Sequence, residues 1–310
     1  MRNQFHETKF ETEDERRIAA SLPAAERQAM VETLLVRHPV FNGVQDFLKT
    51  LHRPVSGGGH GRGEIGGLLG NSRTGKSASC FYYAAQFPMR EDEFGEKYPV
   101  VYVEASSDMS PALLAQQLME ASGMRSFHGR MKVDAWIVNA CERLSSSGVE
   151  LVIIDDAQFL FENQNRTRLG HYRSFLKRLA DVRKFNILLA GDQSVEDSVV
   201  NVPYLIGRGG FPRIQLNAFS SEGVEKKRFQ HLLNAVDTRL PFAKPSQLGD
   251  ERFIVDFFRL SDGILGRVMN VVRSASFAAI NQGSACILVE HLREAADVRR
   301  RSGDQHRYFA

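Results

Sequence analysis

Residues 70–77 read GNSRTGKS and fit the pattern G-x-x-x-x-G-K-[ST] in full. Gly70 and Gly75 allow the backbone to turn tightly and to point N–H groups at phosphate oxygens. An apolar run at 65–70 precedes the loop, and the helical run SASCFYYAAQF follows it. The positive end of that helix points at the same phosphates. The sequence therefore predicts a phosphate-binding loop between a strand and a helix.

The loop residues are predicted to bind ATP together with Mg²⁺. Lys76 supplies a positive charge to the β- and γ-phosphates, and Ser77 offers its hydroxyl to the metal ion. The other positions contribute backbone groups that surround the phosphates. The predicted nucleotide-binding residues of the loop are Gly70, Asn71, Ser72, Arg73, Thr74, Gly75, Lys76 and Ser77.

Two carboxylates end a second apolar run, LVIIDD at 151–156. In P-loop enzymes the first such carboxylate holds Mg²⁺, which assigns this role to Asp155. The following residue, Asp156, is placed to polarise the attacking water. Many ATPases of this type have Glu at that position, and an Asp side chain is shorter by roughly 1.5 Å. Because misplacement on this scale costs rate, we predict slow hydrolysis.

Strand-like and helical runs alternate through the middle of the chain. The strand-like runs lie at 65–70, 99–105, 150–155 and 185–191, with a weaker one at 213–216. This alternation predicts an α/β fold with a mostly parallel sheet covered by helices on both faces. From residue 219 to 300 the periodicity is helical only, which predicts a second, all-helical domain. We expect a glycine-rich flexible connection at 54–67 and a loose basic tail at 298–310.

Bulk composition is that of a globular protein, with 43% apolar and 25% charged residues. We see neither an apolar run long enough to span a bilayer nor the apolar core of a signal peptide, so we predict a cytoplasmic location without membrane contact. Cys80, Cys141 and Cys286 are widely spaced and form neither a disulfide framework nor a metal-ligand pattern. The net charge of +3 permits an anionic partner without requiring one.

Over roughly residues 36–297 the chain resembles AAA+ ATPases, and within them the TniB/TnsC group of transposition ATPases. The resemblance is carried by RHPVFNGVQDFLKTL before the loop, by GNSRTGKS, LVIIDDAQFLF and ILLAGDQ, and by SDGILGRVMNVV near the C-terminus. It implies an N-terminal helical extension (1–35), an AAA+ ATPase domain (36–218), a helical lid domain (219–297) and a basic tail (298–310).

The resemblance also implies further residues around the nucleotide. Asp192 or Gln193 takes the polar position beside the γ-phosphate, unless it is an ordinary helix cap. Arg208, or else Arg213, enters the ATP site of a neighbouring subunit. Arg267, in SDGILGR, reaches back from the lid to the phosphates.

The function implied by the resemblance is ATP-dependent assembly, in a ring or helical filament, on non-specific double-stranded DNA, followed by recruitment of a transposase. Residues 161–184 carry seven Lys or Arg against two acids. If this segment is a helix, four of these side chains lie within about 40° of one another around its axis. If the helix instead begins at Gly170, Arg166 is not part of this basic stripe. Such a stripe suits DNA phosphates, although a solvated outer face is the alternative. The predicted DNA contacts are Arg125, Arg130, Lys132, Arg173 and Lys177, with Arg166 and Lys184 on the same stripe.

A second function remains open on the sequence alone. A nucleotide-gated protein-interaction ATPase, of the secretion-associated or defence-signalling kind, would carry the same phosphate-binding loop without any DNA role. Binding to duplex DNA in the presence of nucleotide separates the two functions.

Overall fold

A computed structural model describes residues 5–59, 63–125, 131–162, 164–207 and 209–310. The strands in chain order are β1 (Ile65–Gly70), β2 (Arg90–Asp92), β3 (Gly95–Lys97), β4 (Val100–Glu104), β5 (Leu151–Asp155), β6 (Asn186–Gly191) and β7 (Arg213–Leu216).

Helices occupy most of the remaining described residues. In chain order they are α1 (Glu13–Ala20), α2 (Ala24–Glu32), α3 (Pro39–His52), α4 (Lys76–Ala85), α5 (Pro111–Ala121), α6 (Val133–Ser146), α7 (Arg166–Asp181), α8 (Gln193–Val200), α9 (Pro203–Ile206), α10 (Gly223–Asp237), α11 (Glu251–Ser261), α12 (Leu265–Asn281) and α13 (Val289–Asp297). A 3₁₀ turn, Ala157–Leu160, follows β5.

Five of the described strands form one parallel sheet in the order β4-β5-β6-β1-β7. The chain connects these strands through helices, because parallel neighbours need a crossover between them. The predicted α/β fold, with a parallel sheet and a helical C-terminal region, is confirmed.

Alternate residues of the central strands β5 and β6 face two separate apolar layers. On one face Val152, Ile154 and Leu189 pack in a core with α5, α6, α7 and α8. On the other face Leu151, Ile153, Leu188 and Ala190 pack against α3 and α4. A parallel strand covered on both faces must be apolar at every position, which explains the unbroken runs in the sequence.

The short hairpin of β2 and β3 was not foreseen. Its two strands have three residues each and pair in antiparallel fashion before β4 begins. The segment REDEFGEK is mostly charged, and Phe94 at its turn is 80% exposed. Because neither face of this hairpin is buried, it lacks the apolar alternation by which strands are recognised.

The N-terminal residues pack with the C-terminal helices. The chain divides into two compact units: Pro39–Leu216 is one, and the described residues up to His38 join Asn217–Ala310 in the other. The backbone N–H of Phe10 donates to the carbonyl of Thr238 at 2.8 Å, and Arg27 Nε donates to the carbonyl of Pro241 at 3.0 Å. The first helices therefore belong to the helical unit.

The expectation of a loose C-terminal tail is wrong for its last residues. Phe309 is 1% exposed, and its ring packs edge-on against Phe257 with 5.0 Å between centroids. The N–H of Phe309 donates to Asp256 Oδ2 at 2.6 Å. Tyr308 and Phe309 belong to the core of the helical unit. The prediction failed because it was based on the basic composition of 298–310 as a whole and not on these two aromatic residues.

We expect Phe309→Ala to lower the free energy of unfolding of the helical unit by about 3–5 kcal/mol, because it removes a fully buried ring. Val298→Ala, at a position 79% exposed, is the control and should cost less than about 0.5 kcal/mol. Urea denaturation followed by circular dichroism measures both. Equal unfolding curves for the two variants would show that the terminal residues are not part of the core.

Candidate nucleotide-binding site

The loop after β1 has a backbone that requires glycine. Gly70 has φ of +151°, and a Cβ at this position would overlap the carbonyl oxygen of Leu216 on β7. Gly75 has φ of +102°, and the space in front of its Cα is open. Arg73 also adopts a positive φ, of +69°. The chain therefore turns sharply between β1 and α4, a conformation in which successive backbone N–H groups can surround an anion.

Helix α4 begins at Lys76, directly at the end of this loop. Its N-cap is Gly75, which has no side chain to bond the free N–H groups of the first turn. Those N–H groups and the positive end of the helix are available to an anion. Ser77 lies exposed on the same first turn.

Lys76 is held against the loop with 7% of its surface exposed. Its Nζ donates to the carbonyl oxygens of Gly70, at 2.8 Å, and of Asn71, at 2.9 Å. Burial lowers the pKa of Lys76, and the charges of Asp155, Asp156 and Asp192 act against that shift. The fold thus brings the three predicted carboxylates into the electrostatic environment of the loop lysine.

Asp155 ends β5 on the sheet face that carries α4, because it follows Leu151 and Ile153 at alternate positions. The carboxylate is 1% exposed. Its Oδ1 accepts the N–H of Asp156 at 2.9 Å, and its Oδ2 accepts the hydroxyl of Tyr102 at 2.8 Å. Tyr102 was not among the predicted site residues. The alternation of VVYVE in β4 could have placed it, since Tyr102 pairs with Ile153 in the register.

Asp156 lies one residue beyond the strand in a left-handed backbone conformation, with φ of +50°. Its Oδ1 accepts the side-chain amide of Gln158 at 3.2 Å. The residue is half-buried. Its role in polarising the attacking water stays a prediction.

Asp192 caps helix α8, as the alternative interpretation of this position stated. Its Oδ1 accepts the N–H of Ser194 at 2.9 Å and the hydroxyl of the same residue at 2.7 Å. Gln193 instead bonds Glu196 at 2.8 Å. Asp is a favoured N-cap residue, which explains its presence at this position. The negative charge of Asp192 also acts to raise the pKa of Lys76, which burial lowers.

The three arginines predicted to contact the phosphates differ in their location and in their contacts. Arg208 lies outside the described residues. Arg213, on the edge strand β7, forms an ion pair with Glu196 at 2.6 Å and remains 46% exposed. Arg267 lies in the helical unit and forms an ion pair with Asp262 at 2.5 Å. Their roles at the phosphates stay predictions.

Helix α7 includes Arg166, because Asn165 caps it and Gly170 lies inside it. It ends at Asp181, so Lys184 lies beyond the helix. Arg166 and Lys177 are exposed and point to one side, whereas Arg173 is half-buried. Lys177 also bonds Asp181 at 2.8 Å. The helical basic stripe is thus shorter and partly neutralised.

The second group of candidate DNA contacts is only partly visible. Arg125 and Lys132 are exposed on either side of 126–130, and Arg130 falls in that range, outside the described residues.

The oxygen atoms at this site suit Mg²⁺ bound with a nucleotide. A hydroxyl on α4 and a carboxylate on β5 are hard oxygen ligands. Within the described residues no group of three or more His, Cys, Asp and Glu side chains could hold a metal ion by itself. Mg²⁺ commonly takes its remaining ligands from phosphates and water, which the open loop would admit.

Comparison with known proteins agrees with this geometry. Residues 59–199 match the family model described as AAA domain. The match assigns an AAA-type P-loop domain to these residues. A search of curated protein sequences finds no match. No helix within the described residues combines the length and apolar character that crossing a bilayer requires.

Solved structures show the same fold as this chain. The ORC2 protein of Aeropyrum pernix, in ADPNP–ADP complexes, is 14% identical with a TM-score of 0.64, over 84% of this chain and 68% of that one. ORC1 of the same organism, in complex with DNA, is 15% identical with a TM-score of 0.58, over 85% and 66%. Cdc6p of Pyrobaculum aerophilum is 14% identical with a TM-score of 0.53, over 86% and 68%. The chain spans about two thirds of the length of these proteins.

We expect Lys76→Ala to weaken binding of Mg-ATP by roughly 10- to 100-fold, because it removes a charge-assisted contact to the phosphates. The matched control is Lys49→Ala, which removes an exposed lysine of α3 and should leave affinity unchanged. Isothermal titration calorimetry measures both constants. Wild-type affinity in the Lys76 variant would refute the assignment of this lysine.

Proposed function

We propose that this protein binds Mg-ATP at the loop 70–77 and hydrolyses it slowly, as a nucleotide-dependent switch. The observation that carries the proposal is the buried Lys76 of the glycine loop in the electrostatic environment of the buried Asp155. A buried lysine and a buried carboxylate at the carboxyl ends of parallel strands are suited to bind a phosphate and its cation.

In this proposal the residues of the loop bind the phosphates, and the carboxylates that follow β5 hold the metal ion and orient the attacking water. The N–H groups of 70–77 surround the β- and γ-phosphates, and Lys76 neutralises part of their charge. Ser77 and Asp155 would hold Mg²⁺, which when bound offsets the negative charge that develops on the phosphate oxygens. Asp156 would accept the proton of the attacking water at its carboxylate.

Slow hydrolysis follows from the position of Asp156. Its carboxylate is on a short side chain, and Oδ1 already accepts the amide of Gln158. Both features restrict its approach to a water in line with the γ-phosphate.

We expect Asp156→Asn to reduce kcat for ATP hydrolysis by about 100-fold, since the amide cannot accept the proton. Affinity for Mg-ATP should change less than about two-fold, because the loop and Asp155 are intact. A phosphate-release assay and a nucleotide titration measure the two quantities, with Asp181→Asn on α7 as control. Unchanged kcat in the Asp156 variant would exclude it as the base.

Assembly between subunits is part of the proposal. Arg208 or Arg213 would complete the ATP site of a neighbour, and hydrolysis would then depend on assembly. Arg213 is tied to Glu196 within its own chain, so that ion pair would have to open first. An exposed ion pair is worth at most about 1 kcal/mol, which a phosphate partner can replace.

Duplex DNA is the partner that we propose for the assembled form. The exposed Arg125, Lys132, Arg166 and Lys177 supply positive charge for phosphates without base recognition. A protein of similar fold, ORC1 of Aeropyrum pernix, was solved in complex with DNA. Recruitment of a transposase is a finer part of this proposal and rests only on the sequence resemblance to the TniB/TnsC group.

One observation favours the alternative of a protein-interaction ATPase. Asp181 partly neutralises Lys177, and the guanidinium of Arg168 donates to the backbone carbonyls of Asp108 and Met109. The basic surface is therefore modest. ATP binding without any effect of DNA at low salt would support this alternative.

We expect the double variant Arg166→Gln with Lys177→Gln to bind duplex DNA several-fold more weakly, equally for all sequences. The magnitude of the slope of log affinity against log salt concentration should fall by up to about 2, since each lost phosphate contact lowers it by about 1. Lys49→Gln, on α3 and on the other sheet face, is the control. Sedimentation with a non-hydrolysable ATP analogue at several salt concentrations gives the affinities. An unchanged slope in the double variant would remove α7 from the DNA contact.

A further inference from the structure

Tyr102 reaches the carboxylate of Asp155 across two neighbouring strands. In the parallel register Tyr102 pairs with Ile153, and Glu104 pairs with Asp155. Tyr102 and Asp155 are therefore diagonal neighbours on one face of the sheet. Such neighbours lie about 7–8 Å apart, within reach of an aromatic side chain. The hydroxyl accordingly donates to Asp155 Oδ2 at 2.8 Å.

The phenol ring of Tyr102 is held in place by the helix that follows the glycine loop. Phe81, on α4, packs on this ring with 4.2 Å between centroids and 34° between planes. The ring also packs against the apolar layer that contains Cys80 and Ile153. With its ring fixed, the hydroxyl has little freedom to leave Asp155.

Both oxygens of Asp155 then have a hydrogen-bond donor. The N–H of Asp156 bonds Oδ1, and the hydroxyl of Tyr102 bonds Oδ2. A carboxylate has about four acceptor positions, so each oxygen keeps one for a metal ion or its water. Two donors on two different oxygens fix the plane of the carboxylate. A phenol is protonated at neutral pH, so the hydroxyl of Tyr102 is a donor there.

We propose that Tyr102 is a positioning residue that orients the Asp155 carboxylate and so sets the Mg²⁺ affinity of the nucleotide site. The inference rests on the proposed binding of Mg-ATP. Groups that donate hydrogen bonds to a metal-ligating side chain typically change metal affinity 10- to 100-fold, since they hold that side chain in its binding orientation. The contact of Phe81 with Tyr102 extends this support to α4, the helix that carries Lys76 and Ser77.

The test is Tyr102→Phe, which keeps the ring and its packing and removes only the hydroxyl. Binding of a fluorescent ATP analogue is measured at increasing Mg²⁺ and separately in EDTA. We expect the Mg²⁺ concentration for half-maximal enhancement of binding to rise about ten-fold. Affinity in EDTA should stay within about two-fold of wild type, because the loop is unchanged.

Tyr98→Phe is the matched control. The hydroxyl of Tyr98 also donates to a carboxylate, that of the exposed Glu96, at 2.7 Å, but remote from the nucleotide loop. This variant should follow the wild-type Mg²⁺ titration. A second variant, Phe81→Leu, keeps the hydroxyl of Tyr102 and loosens its ring, so we expect a smaller shift, of about two- to three-fold.

Each outcome has one meaning. Absence of Mg-ATP binding by the wild-type protein would refute the proposed function. Wild-type binding together with an unshifted Mg²⁺ titration in Tyr102→Phe would refute the role of Tyr102. Equal losses with Mg²⁺ and in EDTA would show a merely structural role and would also overturn it. If Tyr102→Phe does not fold by circular dichroism, the Phe81→Leu titration decides, and an unshifted curve there refutes the inference.

Discussion

The candidate site depends on the electrostatic attraction between one buried ammonium, Lys76, and one buried carboxylate, Asp155. A buried charge without hydrogen bonds is costly, and each of these two groups has hydrogen-bond partners of its own. Lys76 has two backbone carbonyls and Asp155 has two donors. Two buried groups of opposite charge beside a glycine loop are suited to exchange these partners for a phosphate and a cation.

The parallel sheet brings the two charges together. Strand order β5-β6-β1 places the ends of three strands side by side, and polar residues follow each of those ends. Alternation along β5 then selects the face: Leu151 and Ile153 pack toward α4, and Asp155 follows them. Tyr102 reaches the same carboxylate through the register of β4. The apolar pattern that buries the sheet therefore also positions the site.

The sequence predicted the sheet, and the position of the glycine-rich loop between a strand and a helix, well, because a fully buried parallel strand and a glycine-rich turn each have a strong local pattern. Strand β7 begins and ends at the predicted residues. Contacts between distant segments could not be predicted from such patterns. The bond of Tyr102 to Asp155 depends on strand register, and the packing of Phe309 depends on how the chain end meets α11. The short charged hairpin lacked any apolar signal.

The most direct test of this account is a calorimetric titration of the folded wild-type protein with ATP, in Mg²⁺ and again in EDTA. We expect a single site per chain whose affinity for ATP is clearly higher with Mg²⁺, because the metal ion would connect the phosphates to the carboxylate on β5. Absence of any heat of binding with Mg-ATP, in protein shown to be folded by circular dichroism, would contradict it.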